Sequence, residues 1–114
     1  MALQLYGLKN CDTCKKALKA LDDTGKPVTF HDIREGTDLE AKVPVWLEAA
    51  GAKPLVNSRS TTWRGLSDAE KASVDQGRAE ALLIANPTLI KRPVIEDGDT
   101  VYVGWTKDVQ AALV

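Results

Sequence analysis

Leu3-Gln4-Leu5-Tyr6-Gly7-Leu8-Lys9-Asn10-Cys11-Asp12-Thr13-Cys14-Lys15-Lys16-Ala17-Leu18-Lys19-Ala20-Leu21-Asp22-Asp23 is the stretch that decides the fold. Leu3 to Tyr6 alternates apolar and polar residues, the period of a short strand. The turn Gly7 to Asn10 follows. From about Asp12 to Asp23 the period becomes helical. Cys14, Ala17, Leu18 and Leu21 fall at i, i+3, i+4 and i+7, while Lys15, Lys16, Lys19 and Asp22 take the other face. Asn10 or Cys11 takes the N-cap position, and Gly25 and Pro27 stop the helix. Val28 to Ile33 alternates again and is expected to be a second strand. Strand, helix and strand in quick succession make a βαβ unit, which implies parallel pairing through a right-handed crossover.

The middle of the chain is helical in pattern. Thr37-Asp38-Leu39-Glu40 has the form of a capping box, and Leu39, Val43, Trp46, Leu47 and Ala50 then keep one stripe up to Gly51. Pro44 conflicts with that stripe: the helix either kinks there or begins its regular part there. Ser67-Asp68-Ala69-Glu70 is a second capping box, followed by helical sequence to about Asp75. Gly77 to Ala85 is expected to be another helix, ended by Asn86-Pro87. The end returns to strand: Pro93 to Glu96, a turn at Asp97-Gly98-Asp99, and Thr100 to Val103 form an expected antiparallel hairpin. Thr106 can cap a last short helix with Val109, Ala112 and Leu113 inward. The order is β-α-β, a helical block, then β-β-α. The fold class is therefore α/β, a thioredoxin-like fold with an inserted helical subdomain: one domain over residues 1–114, with the insertion at about 36–90.

The chain has 114 residues, a size that suits one domain with a hydrophobic core. Fifteen basic residues stand against sixteen acidic ones, so no basic surplus supports nucleic acid or an anionic membrane as the main partner. The longest purely apolar run, Ala81 to Ala85, is far too short to span a bilayer. Met1-Ala2-Leu3-Gln4 lacks the basic and apolar regions of a secretory signal, and a cytoplasmic location is expected.

Cys11-Asp12-Thr13-Cys14 is a C-x-x-C placed after a strand and at the start of a helix. The helix N-terminus offers unpaired N–H groups and partial positive charge, both of which favour a thiolate at Cys11. Lys9, Lys15 and Lys16 add positive charge, and Asp12 opposes it. Cys14, one turn along and deeper, can attack a mixed disulfide formed at Cys11 and so act as a resolving thiol. A structural zinc is excluded by inventory, since two cysteines and one histidine are too few ligands. The competing possibility is two small buried residues in a reduced cytosolic protein. The context of the motif favours redox chemistry.

Two other segments carry candidate residues. Leu55-Val56-Asn57-Ser58-Arg59-Ser60-Thr61-Thr62-Trp63-Arg64 holds two arginines and four hydroxyl side chains, a set that suits an oxyanion or carboxylate, or else a solvated loop. Lys91-Arg92-Pro93-Val94-Ile95 leads into the third strand. Pro93 cannot donate to the sheet there, which suggests a strand start, an edge or a cis bond. In a thioredoxin-like layout this loop lies beside the cysteine turn, where Arg92 can hold an anion near Cys11. The alternative is a trans proline and a surface arginine. His31 is expected to be a surface or strand-end histidine, Trp46 a core residue, and Trp63 and Trp105 packing or cleft residues.

Together these segments, with Leu5 to Thr13, Phe30-His31-Asp32, and Ala85 to Val94, resemble the ArsC/Spx family of thioredoxin-fold proteins. That family includes glutaredoxin-linked arsenate reductases, and the chain is most similar to the YffB-like branch. The resemblance implies that Cys11 is the reactive thiol. It also implies that Arg59 and Arg92 match two positions of an anion-binding arginine triad. The third position falls near Gly104 to Lys107, where no arginine stands; Lys107 gives a point charge without a fork. Where the arsenate reductases carry a histidine four residues before the cysteine, this chain has Gly7. Both departures favour a thiol substrate over arsenate. The implied function is glutathione-dependent thiol/disulfide reduction, with Cys11 and Cys14 catalytic. Asn10, Arg59, Arg92 and Pro93 would bind glutathione or the substrate anion. Glutathione is the expected co-substrate, with a glutaredoxin- or thioredoxin-type reductant as a possible partner, no tightly bound cofactor, no metal, and a monomeric state. Cys14 also matches the C-x-x-C of the Spx-type regulators. That match implies the alternative: a redox-sensing regulator that binds the RNA polymerase α subunit.

Overall fold

The structure is a computed structural model and describes residues 2–114. The chain forms two compact units. One comprises the residues up to Thr37 together with Arg92–Val114, and the other is Asp38–Lys91.

The first unit is built on a four-stranded sheet. The strands are β1 (Leu3–Gly7), β2 (Val28–Asp32), β3 (Val94–Asp97) and β4 (Thr100–Val103), in the order β2-β1-β3-β4. Helix α1 (Asp12–Asp23) crosses from β1 to β2, which pair in parallel from Leu3 with Val28 to Gly7 with Asp32. The hairpin partner β3 runs antiparallel to β1, with Leu5 opposite Ile95. This is the thioredoxin-like sheet expected from the element order. Alternation along β1 sends Leu3 and Leu5 to one face. There they join Ala17 and Leu21 of α1, Ile95, and Val109 and Leu113 of α7 (Lys107–Leu113) in one buried cluster. Leu18, Phe30, Tyr102 and Trp105 pack against its margin. Ala112, expected inward, is exposed: Val109 and Leu113, four residues apart, already fill the inner stripe of this short helix.

The opposite face carries a polar chain. His31 Nε2 donates to Gln4 Oε1 at 2.6 Å and the ring stacks on Tyr6 with centroids 4.7 Å apart. Tyr6 Oη donates to Glu96 Oε1 at 2.9 Å. These hydrogen bonds explain how Tyr6 can sit almost wholly buried in a strand.

The second unit holds five helices: α2 (Leu39–Ala50), α3 (Ala52–Leu55), α4 (Thr61–Arg64), α5 (Asp68–Asp75) and α6 (Ala79–Ala85), followed by a 3-10 turn at Pro87–Leu89. The cap of α2 is Asp38, one residue later than Thr37, and its side chain accepts from Ala41 N. The helix runs through Pro44, which leaves the Glu40 carbonyl without its usual amide partner, and stops at Gly51, whose φ of 86° suits glycine. Leu39, Val43 and Trp46 form its buried stripe. The Ser67 capping box is complete: Ser67 Oγ accepts from Glu70 N at 3.1 Å, and Glu70 Oε1 accepts from Ser67 N at 3.0 Å. The last of these helices begins at Ala79 rather than Gly77, whose φ of 77° is not helical. Lys91 N donates to Leu55 O, and Asn57 N donates to Leu89 O, which ties the C-terminal end of this unit to the segment that follows α3.

Candidate active site

Cys11 occupies the N-cap of α1 with extended backbone angles. Its amide donates to Leu8 O at 3.2 Å, closing the turn after β1, and its carbonyl accepts the first helical bond from Lys15 N at 3.0 Å. The turn thus fixes the backbone on both sides of the sulfur. Cys11 is half-buried, while Asn10 and Thr13 are exposed beside it. Cys14, the third residue of α1, points back into the unit and is 0 % exposed. Both cysteines are free thiols.

The two sulfurs experience opposite fields. Burial raises the Cys11 thiol, but the Cys14 amide, the Cys14 thiol and the Arg92 guanidinium together outweigh it, so Cys11 ionises below the ordinary thiol value. No side-chain cap hydrogen bond is closed at Cys11. The Cys14 N–H and S–H therefore act on the sulfur as dipoles that a thiolate would accept from. Cys14 is pushed up to about 12, chiefly by burial and further by the charge of Cys11. The Leu8 amide and Arg92 act in the opposite direction on Cys14 without overcoming that burial.

Arg92 and Pro93 reach this site from the start of β3. The Arg92–Pro93 bond is cis, and Pro93 is buried with its carbonyl accepting from Gly104 N at 2.8 Å. Cys11, Cys14, Arg92 and Pro93 thus belong to one locality of the first unit. Arg59 belongs to the second unit. It is exposed, and its amide donates to Asn57 Oδ1 at 3.1 Å in a turn that precedes α4. Ser60 caps that helix by accepting from Trp63 N. The polar stretch is thus an ordered turn and helix, not an irregular loop. Trp63 lines a cavity of about 470 Å³ with Lys53, Ser58 and Lys71, whose ammonium lies 5.9 Å from the ring centroid. Lys107, at the first turn of α7, is exposed. Among the described residues no cluster of three or more His, Cys, Asp or Glu side chains is placed to hold a metal ion, and no helix is long and apolar enough to cross a membrane.

The pattern missed two contributors. Leu8 supplies a carbonyl to the Cys11 amide and an amide to the Cys14 sulfur. These are backbone roles that no side-chain pattern reveals. Gly7 is the other: a Cβ there would overlap the Cys14 sulfur.

The ArsC family profile matches residues 6–113. The chain belongs to the ArsC family. A family relative from Haemophilus influenzae, an uncharacterized protein, is 45% identical over 112 residues, covering 96% of this chain and 97% of that one. The solved structure of the YffB protein is 39% identical, superposes with a TM-score of 0.87 and covers 97% of each chain. The global transcriptional regulator Spx of Listeria innocua is 28% identical over 106 residues, covering 91% of this chain and 80% of Spx. Membership of the ArsC family places the chain among thiol oxidoreductase-type proteins.

Proposed function

We propose that the protein is a glutathione-dependent thiol reductase of a reducing, cytoplasmic compartment, with Cys11 as its nucleophile. The observation that carries this reading is the environment of Cys11: half-exposed, at a helix N-cap, and lowered in pKa by Cys14 and Arg92. A thiol poised in this way forms its thiolate more readily than an ordinary cysteine and remains reachable from solvent.

The chemistry needs two exchanges. In the first, the Cys11 thiolate attacks the glutathione sulfur of a mixed disulfide. The new Cys11–glutathione bond forms as the old S–S bond breaks, and the substrate leaves as a thiolate that takes a proton from water. In the second, a glutathione thiolate attacks the glutathione sulfur held on Cys11. Oxidised glutathione departs and the Cys11 thiolate is regenerated. Each turnover thereby consumes one glutathione thiol: the mixed disulfide and glutathione become the substrate thiol and oxidised glutathione. Arg92 stabilises the departing and returning thiolate at Cys11 by charge and by its fixed donors. Cys14 favours this route over resolution from within. Its sulfur is buried and keeps its proton to about pH 12, so it serves Cys11 better as a donor than as an attacking thiolate. Arg59 is proposed to bind a carboxylate of glutathione, on the strength of its forked donors and exposure. Asn10, exposed beside Cys11, is proposed to contact the same ligand.

The test is turnover of the mixed disulfide of glutathione and 2-mercaptoethanol, coupled to glutathione reductase. Wild-type protein is expected to turn it over and Cys11→Ser to lose the activity. Equal rates would remove Cys11 from the mechanism. The likeness to Spx and the shared C-x-x-C support a second reading, a redox-controlled regulator that contacts the RNA polymerase α subunit. Recovery of that subunit by the reduced or the oxidised protein, but not both, would favour it.

A further inference from the structure

We propose that Gly7 is a positioning residue for the Cys11 site: its missing side chain makes the space that the Cys14 sulfur occupies, and so holds that sulfur against Cys11. This rests on Cys11 being the reactive thiol.

Gly7 is an unusual choice for its place. It is the last residue of β1, paired in parallel with Asp32, and its carbonyl accepts from Ile33 N at 2.9 Å. Glycine in a strand has no side chain to pack and loses more conformational freedom on folding than any other residue. Five glycines of the chain adopt positive φ; Gly7 is not among them, so its backbone suits any residue. Conformation therefore does not account for the glycine.

Space does. A Cβ built at Gly7 would overlap Cys14 Sγ, while the next atoms, Cys14 Cβ and Leu5 Cδ2, lie at 3.4 and 3.7 Å. The sulfur is the one serious obstacle. It sits on a buried residue of α1 and can yield only by rotating about χ1, because a cysteine has no longer arm to bend. Rotation takes the S–H away from the Cys11 sulfur, to which it now contributes as a donor. A single methyl group at position 7 is thereby transmitted to Cys11 without touching it.

The experiment is the pH dependence of Cys11 alkylation by iodoacetamide, site-resolved by peptide mass spectrometry, in wild type, Gly7→Ala, Cys14→Ala and the double variant. G7A is expected to move the profile to higher pH and to slow alkylation at pH 7 at least threefold. C14A is expected to do the same, and the double variant to react no more slowly than C14A, because the two changes remove one contact. The double variant should also melt at a higher temperature than G7A, since the obstructing sulfur is gone. An unshifted profile in G7A, or slowing that multiplies in the double variant, would overturn the proposal. Should G7A fail to fold, the double variant decides: folding supports the sulfur as the obstacle, and failure to fold overturns it. None of these readouts needs glutathione turnover, so loss of the proposed activity and loss of this inference remain separable.

Discussion

Cys11 and Cys14 lie one helical turn apart, yet ionise in opposite directions. Cys11 is lowered by the donors around it, and Cys14 is raised to about 12 by burial. The pair is therefore asymmetric by construction: one sulfur is half-buried and ionises more readily than an ordinary thiol, the other is buried and holds its proton to about pH 12. The protonated partner stabilises the thiolate form of the other.

Arg92 sets part of that difference. Arg92→Ala is expected to slow Cys11 alkylation at pH 7 about tenfold, the effect of losing one charge-assisted contact of about 1.5 kcal/mol. Arg92→Lys should fall between the variant and wild type, since it keeps the charge and loses the planar fork. Stopped measurements of iodoacetamide consumption check this; an unchanged rate in Arg92→Ala would place the guanidinium outside the site.

Alkaline pH should weaken the fold through Cys14. The unfolded thiol ionises near 9.0, whereas the folded one holds its proton to about 12. Above the lower value the unfolded state releases a proton that the folded state keeps, so stability is full below about pH 9 and falls as pH rises toward the folded value. Cys11 has the opposite sign: its contribution is present above the unfolded value and is lost as pH falls through its lowered folded value. Denaturation in urea between about pH 8 and 10.5 is expected to show a shallower loss in Cys14→Ala than in wild type. Parallel slopes would contradict the raised value.

The helical unit has its own anchor. Trp46 is fully buried on α2, and Trp46→Ala is expected to cost about 3–5 kcal/mol, measured by urea denaturation. A loss below about 1 kcal/mol would mean that the neighbouring helices close over the gap.

Ser67→Ala removes one half of the capping box of α5. About 1 kcal/mol of stability should go with it, with Cys11 reactivity unchanged. Urea denaturation and the alkylation rate check both parts.

Much of this was legible because it is local. The switch from period two to period 3.6 between Tyr6 and Cys14 needs no tertiary information, and neither does the Ser67 cap. Helices α3 and α4 and the turn at Pro87–Leu89 were not legible, because four residues or fewer carry no period. Thr37 and Asp38 both suit a cap, and only the hydrogen bond to Ala41 N separates them. At the site, the C-x-x-C announced itself, and the proline of Arg92-Pro93 hinted at its cis bond. Gly7 read only as the absence of a histidine. Its reason is a sulfur seven residues away that folds back onto it, and side-chain direction is not written in residue spacing.

The central claim is that Cys11 alone is the poised nucleophile. Brief exposure of the protein to oxidised glutathione at pH 7, followed by acid quench and peptide mass spectrometry, tests it most directly. A single glutathione adduct on Cys11, with Cys14 unmodified and the adduct persisting in Cys14→Ser, is the predicted result. An adduct on Cys14, or no adduct on Cys11 in that variant, would contradict it.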